Sequence, residues 1–371
     1  MVKKKIVYLN PNSFTDTDIT IVKHLKECYD IYWFVIRNQS DAYSKKFYED
    51  YARDNNLSVN IYDYTCRRRS IKFLLLMLKV VRDISKIKPQ LLFTCVGDLY
   101  FFILKFFYLF KLKMVIGIHD VKTHSNMKYP IFLSLSRNIV LHFGSDFVLY
   151  SNNQYELFKK LYPQKRAFYV GMSYKDFGEP NEPKVVDAKR KILFFGTLLP
   201  YKGCDLLIKA FEELLSEGID NLHLSFYGKF GNSDYEKLCM KSIKTVEFYN
   251  LNFNFVPNEK VANVFSTHDV SVFPYRDATQ SGPLMINLRY GLPIIAPCHT
   301  CFSDIYTNGT NSILYNDSND VNDIKRALLK LSRMSDAEFK QMERNAKCVS
   351  ELYAEQVIAE RYFDAFNQIL P

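Results

Sequence analysis

Short apolar runs alternate along this chain with longer segments in which apolar residues recur every three to four positions. The first half offers runs at 5–10 (KIVYLN), 31–36 (IYWFVI), 58–63, 90–96 (QLLFTCV), 114–118 (MVIGI) and 146–151 (DFVLYS), each with the length and β-branched content of a strand. Helical spacing fills the intervals at about 17–28, 42–54, 70–87, 98–112, 127–142 and 152–161. Strands separated by helix-length segments form βαβ units, and the near-continuous apolarity of the runs suits a parallel sheet covered on both faces. The rhythm stops at 171–190, GMSYKDFGEPNEPKVVDAKR, where two prolines, two glycines and mixed charge leave no apolar period. It then restarts, with strands expected at 191–195, 222–227, 246–249, 253–256, 270–273 and 293–296. Helices are expected at 203–217, 233–243, 258–267, 281–290 and 319–333, and a wholly helical stretch at 335–369 with a break near 350. The pattern predicts an α/β protein of two Rossmann-like domains in tandem, 1–172 and 191–352, joined by a linker at 173–190 and followed by a helical segment at 353–371. In open sheets of this kind ligands sit at the strand C-termini.

Composition adds three constraints. The longest apolar segment, LYFFILKFFYLF at 99–110, has twelve residues with Lys105 among them, and a spanning helix needs about 20. The first residues, MVKKKIVYLN, run into a strand without a signal-peptide core, so a cytoplasmic protein is expected. Charge is uneven: residues 1–170 hold 27 Lys and Arg against 14 Asp and Glu, about +13, and the remainder carries about −4. A basic first half implies an anionic surface as its partner. The helix-like 66–88 (CRRRSIKFLLLMLKVVRDISKIK) begins with three arginines and suits a membrane surface. The 99–113 segment is apolar nearly all round and suits burial. No recognition module for nucleic acid is apparent. Cysteines number eight and are scattered; Cys298-His299-Thr300-Cys301 has metal-like spacing but no second pair to complete it.

The candidate chemistry lies in the second half. In KILFFGTLLPYKGCDLLIKAFEELL (191–215) a strand, Gly196, a short loop and Lys202-Gly203 lead into an amphipathic helix, offering N–H groups and one ammonium to an anion. The spacing is neither that of a Walker A loop nor that of a dinucleotide fingerprint, and a tight turn with a solvated lysine explains it as well. LSFYGKFG (224–231) ends a strand in Gly228, which admits a close neighbour or a plain turn. FVPNEKVANVFSTHDVSVFPY (255–275) carries Asn258 as a helix cap and His268 as a turn histidine. VSVFPYRDATQSGPLMINLRYGLPIIAP (270–297) reads as strand, polar loop, Ser281-Gly282 opening a helix, Gly291 closing it, and a further strand.

Taken in order, Gly196, Lys202, Gly203, Gly228, Pro274, Ser281, Gly282, Gly291, Pro293 and the stretch Asp304 to Leu314 resemble the donor domain of the GT-B glycosyltransferases of family 4. The resemblance covers about 190–335. In the first half, VIGIHD (115–120) looks like the family's strand ending in a histidine near the cleft, and a final helix returning to the first domain suits the fold. What the resemblance implies is transfer of a sugar from a UDP- or GDP-linked donor to a glycan or lipid-linked acceptor, with retention and without a metal or other cofactor. Lys202 would contact the diphosphate as a point charge, the helix at Ser281-Gly282 would offer N–H groups, and His119 would face the donor sugar, with Asp120 beside it. A hydrogen-bonded histidine of the sheet edge accounts for His119 equally well.

The sequence departs from the family at charged positions. Where many members have an arginine just after the first glycine, Thr197 stands here, and Arg276 or Lys229 would have to replace the missing charge. The family's Glu-x7-Glu pair falls on Ala278 and Ile286, or with one gap on Thr279 and Asn287. Asn287 is then expected at ribose hydroxyls, and Thr279 or Gln280 at the donor sugar. A nucleotide-sugar epimerase of the same fold and a non-catalytic sugar-nucleotide-binding scaffold are the two alternatives.

Overall fold

The structure is a computed structural model that describes all residues except 1, 12–14, 39–42, 69, 96–103, 106–107, 122–129, 185–188, 299 and 371. The chain divides into two units, Met1–Ser173 with Glu355–Pro371, and Tyr174–Ala354.

In the first unit seven parallel strands lie in the order β3-β2-β1-β4-β5-β6-β7. They are β1 (Lys5–Pro11), β2 (Asp30–Asn38), β3 (Ser58–Tyr64), β4 (Leu91–Thr94), β5 (Lys113–Ile118), β6 (Asp146–Leu149) and β7 (Arg166–Tyr169). Central strands are covered on both faces, so Ile6, Val7, Tyr8 and Leu9 in β1 and Phe147, Val148 and Leu149 in β6 are all buried. Connecting helices are α1 (Thr15–Leu25), α2 (Lys45–Asp54), α3 (Ile71–Ile87), α4 (Pro130–Phe143) and α5 (Asn152–Leu161). In α3, Phe73, Met77, Val80, Val81 and Ile84 face the sheet, while Ser70 caps the first turn by accepting from the Phe73 N–H. The C-terminal helix, Glu355–Ile369, belongs to this unit, as expected. Glu355 pairs with Lys23, Tyr29 donates to Asn367 at 3.0 Å, and Tyr362 and Phe366 pack on Phe93 at 5.5 and 5.8 Å between ring centroids.

The second unit has a six-stranded parallel sheet in the order β10-β9-β8-β11-β12-β13. Its strands are β8 (Arg190–Phe195), β9 (Leu222–Tyr227), β10 (Tyr249–Asn252), β11 (Val270–Val272), β12 (Ile294–Pro297) and β13 (Ser312–Tyr315). Its helices are α6 (Cys204–Ser216), α7 (Ser233–Ser242), α8 (Asn258–Ser266), α9 (Gly282–Tyr290), α10 (Val321–Arg333) and α11 (Asp336–Glu351).

Several expected elements changed. In place of the two short strands expected at 246–249 and 253–256 there is one, β10, lying between them at Tyr249–Asn252 and preceded by a single 3₁₀ turn at Val246–Phe248. Residue Phe255 is 78% exposed, so the second run has no face to bury. Strands β7 and β13, which form the edges of the two sheets, were not foreseen. Most of the helix expected at 98–112 lies outside the described residues. The helical stretch at 335–369 is two helices, separated by a turn at 352–354.

Candidate functional site

The strand order of the second sheet reverses between β8 and β11, and a parallel sheet leaves an open crevice at the C-terminal ends of strands where it reverses. Gly196 follows β8, and the loop from Phe273 to Ser281 follows β11. Two glycines let the backbone close up here. A Cβ on Gly228 (φ +149°) would stand 2.1 Å from the Gly196 carbonyl oxygen, and one on Gly203 (φ +69°) 1.9 Å from that of Pro274. Any side chain at either position would drive adjacent backbone apart. Gly203 thereby seats the start of α6, with the lysine before it, against the end of β11.

That lysine is Lys202, the last residue of a 3₁₀ turn at Pro200–Lys202, and it is only 6% exposed. Its Nζ lies 5.5 Å from the ring centroid of Tyr275 and 3.2 Å from where a Cβ on Gly196 would be; the same point is 3.1 Å from Pro283 Cγ. Ammonium, strand end and helix start therefore converge. Among the described residues no carboxylate forms an ion pair with Lys202; the nearby ring offers only the negative face of its π-system. Burial pushes the ammonium below the usual lysine pKa, opposed weakly by the Cys204 thiol. A buried cation without an anion is costly in the empty protein and is set up to receive one.

The N-terminus of α9 has one donor left over. Ser281 caps it by accepting from the Leu284 N–H at 3.3 Å, and Pro283 has no N–H, so the first turn leaves that of Gly282. Beside it stands a second lysine. Lys175 Nζ is 3.6 Å from where a Cβ on Gly282 would be. The segment carrying it was expected as a linker, yet the structure fastens it along α9. Lys175 N–H donates to the Met285 carbonyl at 3.0 Å, Asp176 pairs with Arg289 at 2.9 Å, the Phe177 N–H donates to the Tyr290 hydroxyl at 3.3 Å, and that hydroxyl donates to the Gly178 carbonyl at 3.2 Å. No motif marks Lys175 in the sequence; only the backbone pairing of its segment with a helix more than a hundred residues away brings it here.

The other expected residues fall into three groups. Thr197 and Lys229 are exposed on neighbouring strand ends, joined by the Leu198 N–H donating to the Lys229 carbonyl at 2.9 Å. Thr279 and Gln280 are half-buried in the loop before α9. Two residues differ from expectation. Arg276 grips Asp205 with both terminal nitrogens, at 3.0 and 2.7 Å, and also donates to the Pro200 carbonyl. That pairing raises the guanidinium pKa and holds the Asp205 carboxyl, also bonded by Tyr235, below its ordinary value. Its charge is neutralised within the protein, so it does not replace the missing arginine. Asn287 is wholly buried; its Nδ2 donates to the Leu292 carbonyl at 2.8 Å and to Tyr306 at 2.9 Å. It braces the end of α9 against the turn that follows it and faces no ribose. Ala278 and Ile286 are buried too, Ile286 within a cluster with Leu193, Val261, Val264, Phe265 and Leu292. His268 is buried, bonded through Nδ1 to the Val264 carbonyl at 2.5 Å, and burial lowers its pKa to about 4; it is a neutral structural group.

In the first unit, His119 directly follows β5 and stacks on Tyr150, 4.1 Å between centroids at 21°. The Tyr150 hydroxyl contacts Cys95 Sγ at 3.3 Å, and the space it fills is open only because residue 117 is glycine. Asp120 lies in the field of Arg137, whose pKa burial lowers. Asn10, at the end of β1, is fully buried, and neither carboxamide atom is hydrogen-bonded among the described residues. Among the described residues no group of three or more His, Cys, Asp or Glu side chains is arranged to hold a metal, and no helix is long and apolar enough to cross a membrane.

Residues 189–334 match the family described as Glycosyl transferases group 1. No curated protein sequence matches the chain. Solved structures match it over its whole length. HepE from Anabaena, in complex with UDP and glucose, is 14% identical with a TM-score of 0.73, covering 98% of this chain and 99% of that one. A glycosyltransferase from Rickettsia africae is 13% identical with a TM-score of 0.77, covering 99% of both chains. A protein from Listeria monocytogenes, provisionally assigned as a UDP-N-acetylglucosamine 2-epimerase, is 14% identical with a TM-score of 0.64, covering 100% of this chain and 97% of that one. The fold is that of the GT-B glycosyltransferases.

Proposed function

We propose that this protein, a chain of GT-B fold whose second unit matches the group 1 glycosyl transferases, transfers a sugar from a nucleotide-sugar to a glycan or lipid-linked acceptor. One observation carries the reading: the ammonium of Lys202 is buried, with no carboxylate partner among the described residues, where Gly196 meets the start of α9. The group best suited to complete such a site is a diphosphate, the leaving group of nucleotide-sugar chemistry. Negative charge develops on it as the glycosidic bond breaks, and fixed cations and N–H dipoles stabilise that charge in a site sheltered from water. Lys202 and the Gly282 N–H supply this here, which supports a reaction without a metal.

UDP is the first donor base to test, because HepE of the same fold holds UDP and glucose, with GDP next. Gly196, Thr197, Lys229, Thr279, Gln280 and Ser281 line the approach to the cradle and complete the proposed donor contacts. The first unit takes the acceptor, with Asn10 and His119 as the polar groups at its strand ends and His119 as its catalytic candidate. Retention at the anomeric carbon follows from the resemblance. The exposed face of α3 and the turn before it carry Arg67, Arg68, Lys72, Lys79 and Arg82 with Ile71 and Leu75. Cations around two exposed apolar side chains suit an anionic leaflet, at about 1 kcal/mol per basic residue near the surface. This fits lipid-linked or cell-surface glycan synthesis at a cytoplasmic membrane face.

An epimerase of the same fold needs acid–base carboxylates, yet Asp205 is committed to Arg276, and Ala278 and Ile286, or with one gap Thr279 and Asn287, stand where the resembling glycosyltransferases keep their acidic pair. Thermal-shift titration with UDP-, GDP- and CMP-linked sugars tests the assignment. Stabilisation by one of them, with donor hydrolysis lost in Lys202→Ala, supports transfer; stabilisation with no turnover of any donor leaves the scaffold reading; no stabilisation by any nucleotide refutes the donor site. Sedimentation with phosphatidylserine vesicles at low salt tests the membrane contact, which fails if the protein stays in solution.

A further inference from the structure

We propose that a cavity at the N-terminal ends of β1, β4 and β5 holds the phosphate of an anionic phospholipid, with Lys88 and Lys111 as its cations and Tyr108 at its rim. The inference rests on the leaflet reading of α3 and assigns a lipid site to the end of that helix. The cavity, about 660 Å³, opens between the residues that follow α3, the segment leading into β5, and Leu370. Four lysines line it, Lys4, Lys88, Lys111 and Lys113, and no Asp or Glu does. Lys113 donates to the Ile369 carbonyl at 2.5 Å, and Lys4 also has a partner within the protein. Lys88 and Lys111 are exposed, and their ammonium groups make no ion pair or hydrogen bond among the described residues. Two cations are therefore left for an anion from outside.

Three features set this cavity apart from an ordinary charged surface. Lys88, the C-terminal cap of α3, is held in the left-handed region at φ +53° and ψ +55°. Among the described non-glycine residues only Asn56 shares a positive φ, and asparagine visits that region routinely, whereas lysine is strained there. Glycine is the unstrained residue for such a cap, and the Lys88 ammonium bonds none of the last carbonyls of α3, so a capping bond does not account for it. The second feature is the rim. In a segment apolar enough for burial, Leu109 is buried, yet its neighbours Tyr108 and Phe110 are 60% and 67% exposed. Outward-facing rings beside lysines suit the boundary between headgroups and acyl chains. The third is continuity: Ser85 lines the cavity and lies one helical turn past Arg82, on the basic face of α3. The apolar floor of Leu109, Leu112 and Leu370 suits the first methylenes of a lipid, and a free phosphate would leave it uncovered. His119 follows β5 at the other end of the same sheet, so a lipid held here is an anchor and not the acceptor.

Binding of the full-length protein to phosphatidylserine vesicles tests the site, with phosphatidylcholine vesicles and soluble glycerol 3-phosphate as comparisons. Lys88→Gly combined with Lys111→Met should weaken phosphatidylserine binding about tenfold or more. The same variant should melt at or above wild type, because glycine fits the left-handed cap. Lys237→Met with Lys241→Met, which removes equal charge from α7, should stay within twofold of wild type. Tyr108→Trp should give emission that brominated acyl chains quench, against the constant background of the wholly buried Trp33. If wild type binds the anionic vesicles while the Lys88 and Lys111 variant stays within twofold, or the Tyr108→Trp emission is unquenched, the proposal is overturned and the leaflet reading of α3 stands. Saturable binding of glycerol 3-phosphate, without preference for phosphatidylserine over phosphatidylcholine vesicles, overturns it in favour of a soluble phosphate ester. If wild type binds neither kind of vesicle nor the soluble ester, the leaflet reading itself falls, and this proposal with it.

Discussion

Replacing Lys202 by methionine should make the empty protein more stable and the nucleotide site useless. Bringing an ammonium into a protein interior costs several kcal/mol even after relaxation. Tyr275, 5.5 Å from Nζ, returns about 0.5–2 kcal/mol of that. Methionine has a similar length and no charge, so Lys202→Met should gain about 2 kcal/mol. For a unit the size of Tyr174–Ala354 that is a rise in Tm of about 4–8 °C. The sign is pH-dependent. Because burial lowers the folded-state pKa of Lys202, the unfolded chain holds a proton that the folded chain gives up over the interval between the two values. The advantage of the variant is therefore complete below the folded-state pKa and closes as pH rises from there towards the ordinary lysine value. Nucleotide reverses the ranking: at a hundred times the dissociation constant UDP stabilises wild type by about 2.7 kcal/mol, and the variant responds little. Calorimetric melting of both proteins, with and without UDP, reads all of this. A variant that melts below wild type and still gains from UDP would refute the idea that the lysine is buried to meet an anion.

His268 supplies a second pH signature: with its folded pKa lowered by burial to about 4 from 6.5, it contributes stability fully present above pH 6.5 and lost as pH falls to about 4. The loss is about 3 kcal/mol, and urea midpoints measured across that range should flatten in His268→Gln. Gly203→Ala, whose Cβ would meet the Pro274 oxygen at 1.9 Å, should cost at least ~3 kcal/mol. Gly309→Ala, also left-handed but with nothing within 4 Å, should cost only ~1–2 kcal/mol in the same denaturation assay. Asn287→Ala removes bonds to the Leu292 carbonyl and Tyr306 and should cost about 2–3 kcal/mol, while UDP affinity stays within twofold. A selective loss of UDP affinity there would return Asn287 to the donor site.

Asn287 and Ile286 also explain why the opening of α9 survives where the acidic pair does not. The cap that fixes the helix start needs only Ser281, Pro283 and the N–H of Leu284, all local. The helix positions aligned with the second acid of the resembling family are buried, where Ile286 joins an apolar cluster and Asn287 satisfies the Leu292 carbonyl. An unpaired carboxylate among those neighbours would be costly.

What the sequence determined by itself is whatever depends on near neighbours. Apolar period set the alternation of strands and helices, and the tandem arrangement followed from it. Gly203 beside Lys202 marked the strand-to-helix turn, and Ser281-Gly282-Pro283 marked a capped helix, because turns and caps are bonded within a few residues. The edge strands β7 and β13 did not stand out from their flanking segments. The tertiary structure decided which charges are available. Arg276 looked like a phosphate ligand until Asp205, 71 residues away, was found in its grip. Asn287 looked like a ribose contact until the fold enclosed it, and Lys175 looked like linker until its backbone was found on α9. A side chain's charge is written in the sequence. Whether that charge is neutralised, buried or left for a ligand depends on groups distant in the chain, and only folding brings those together.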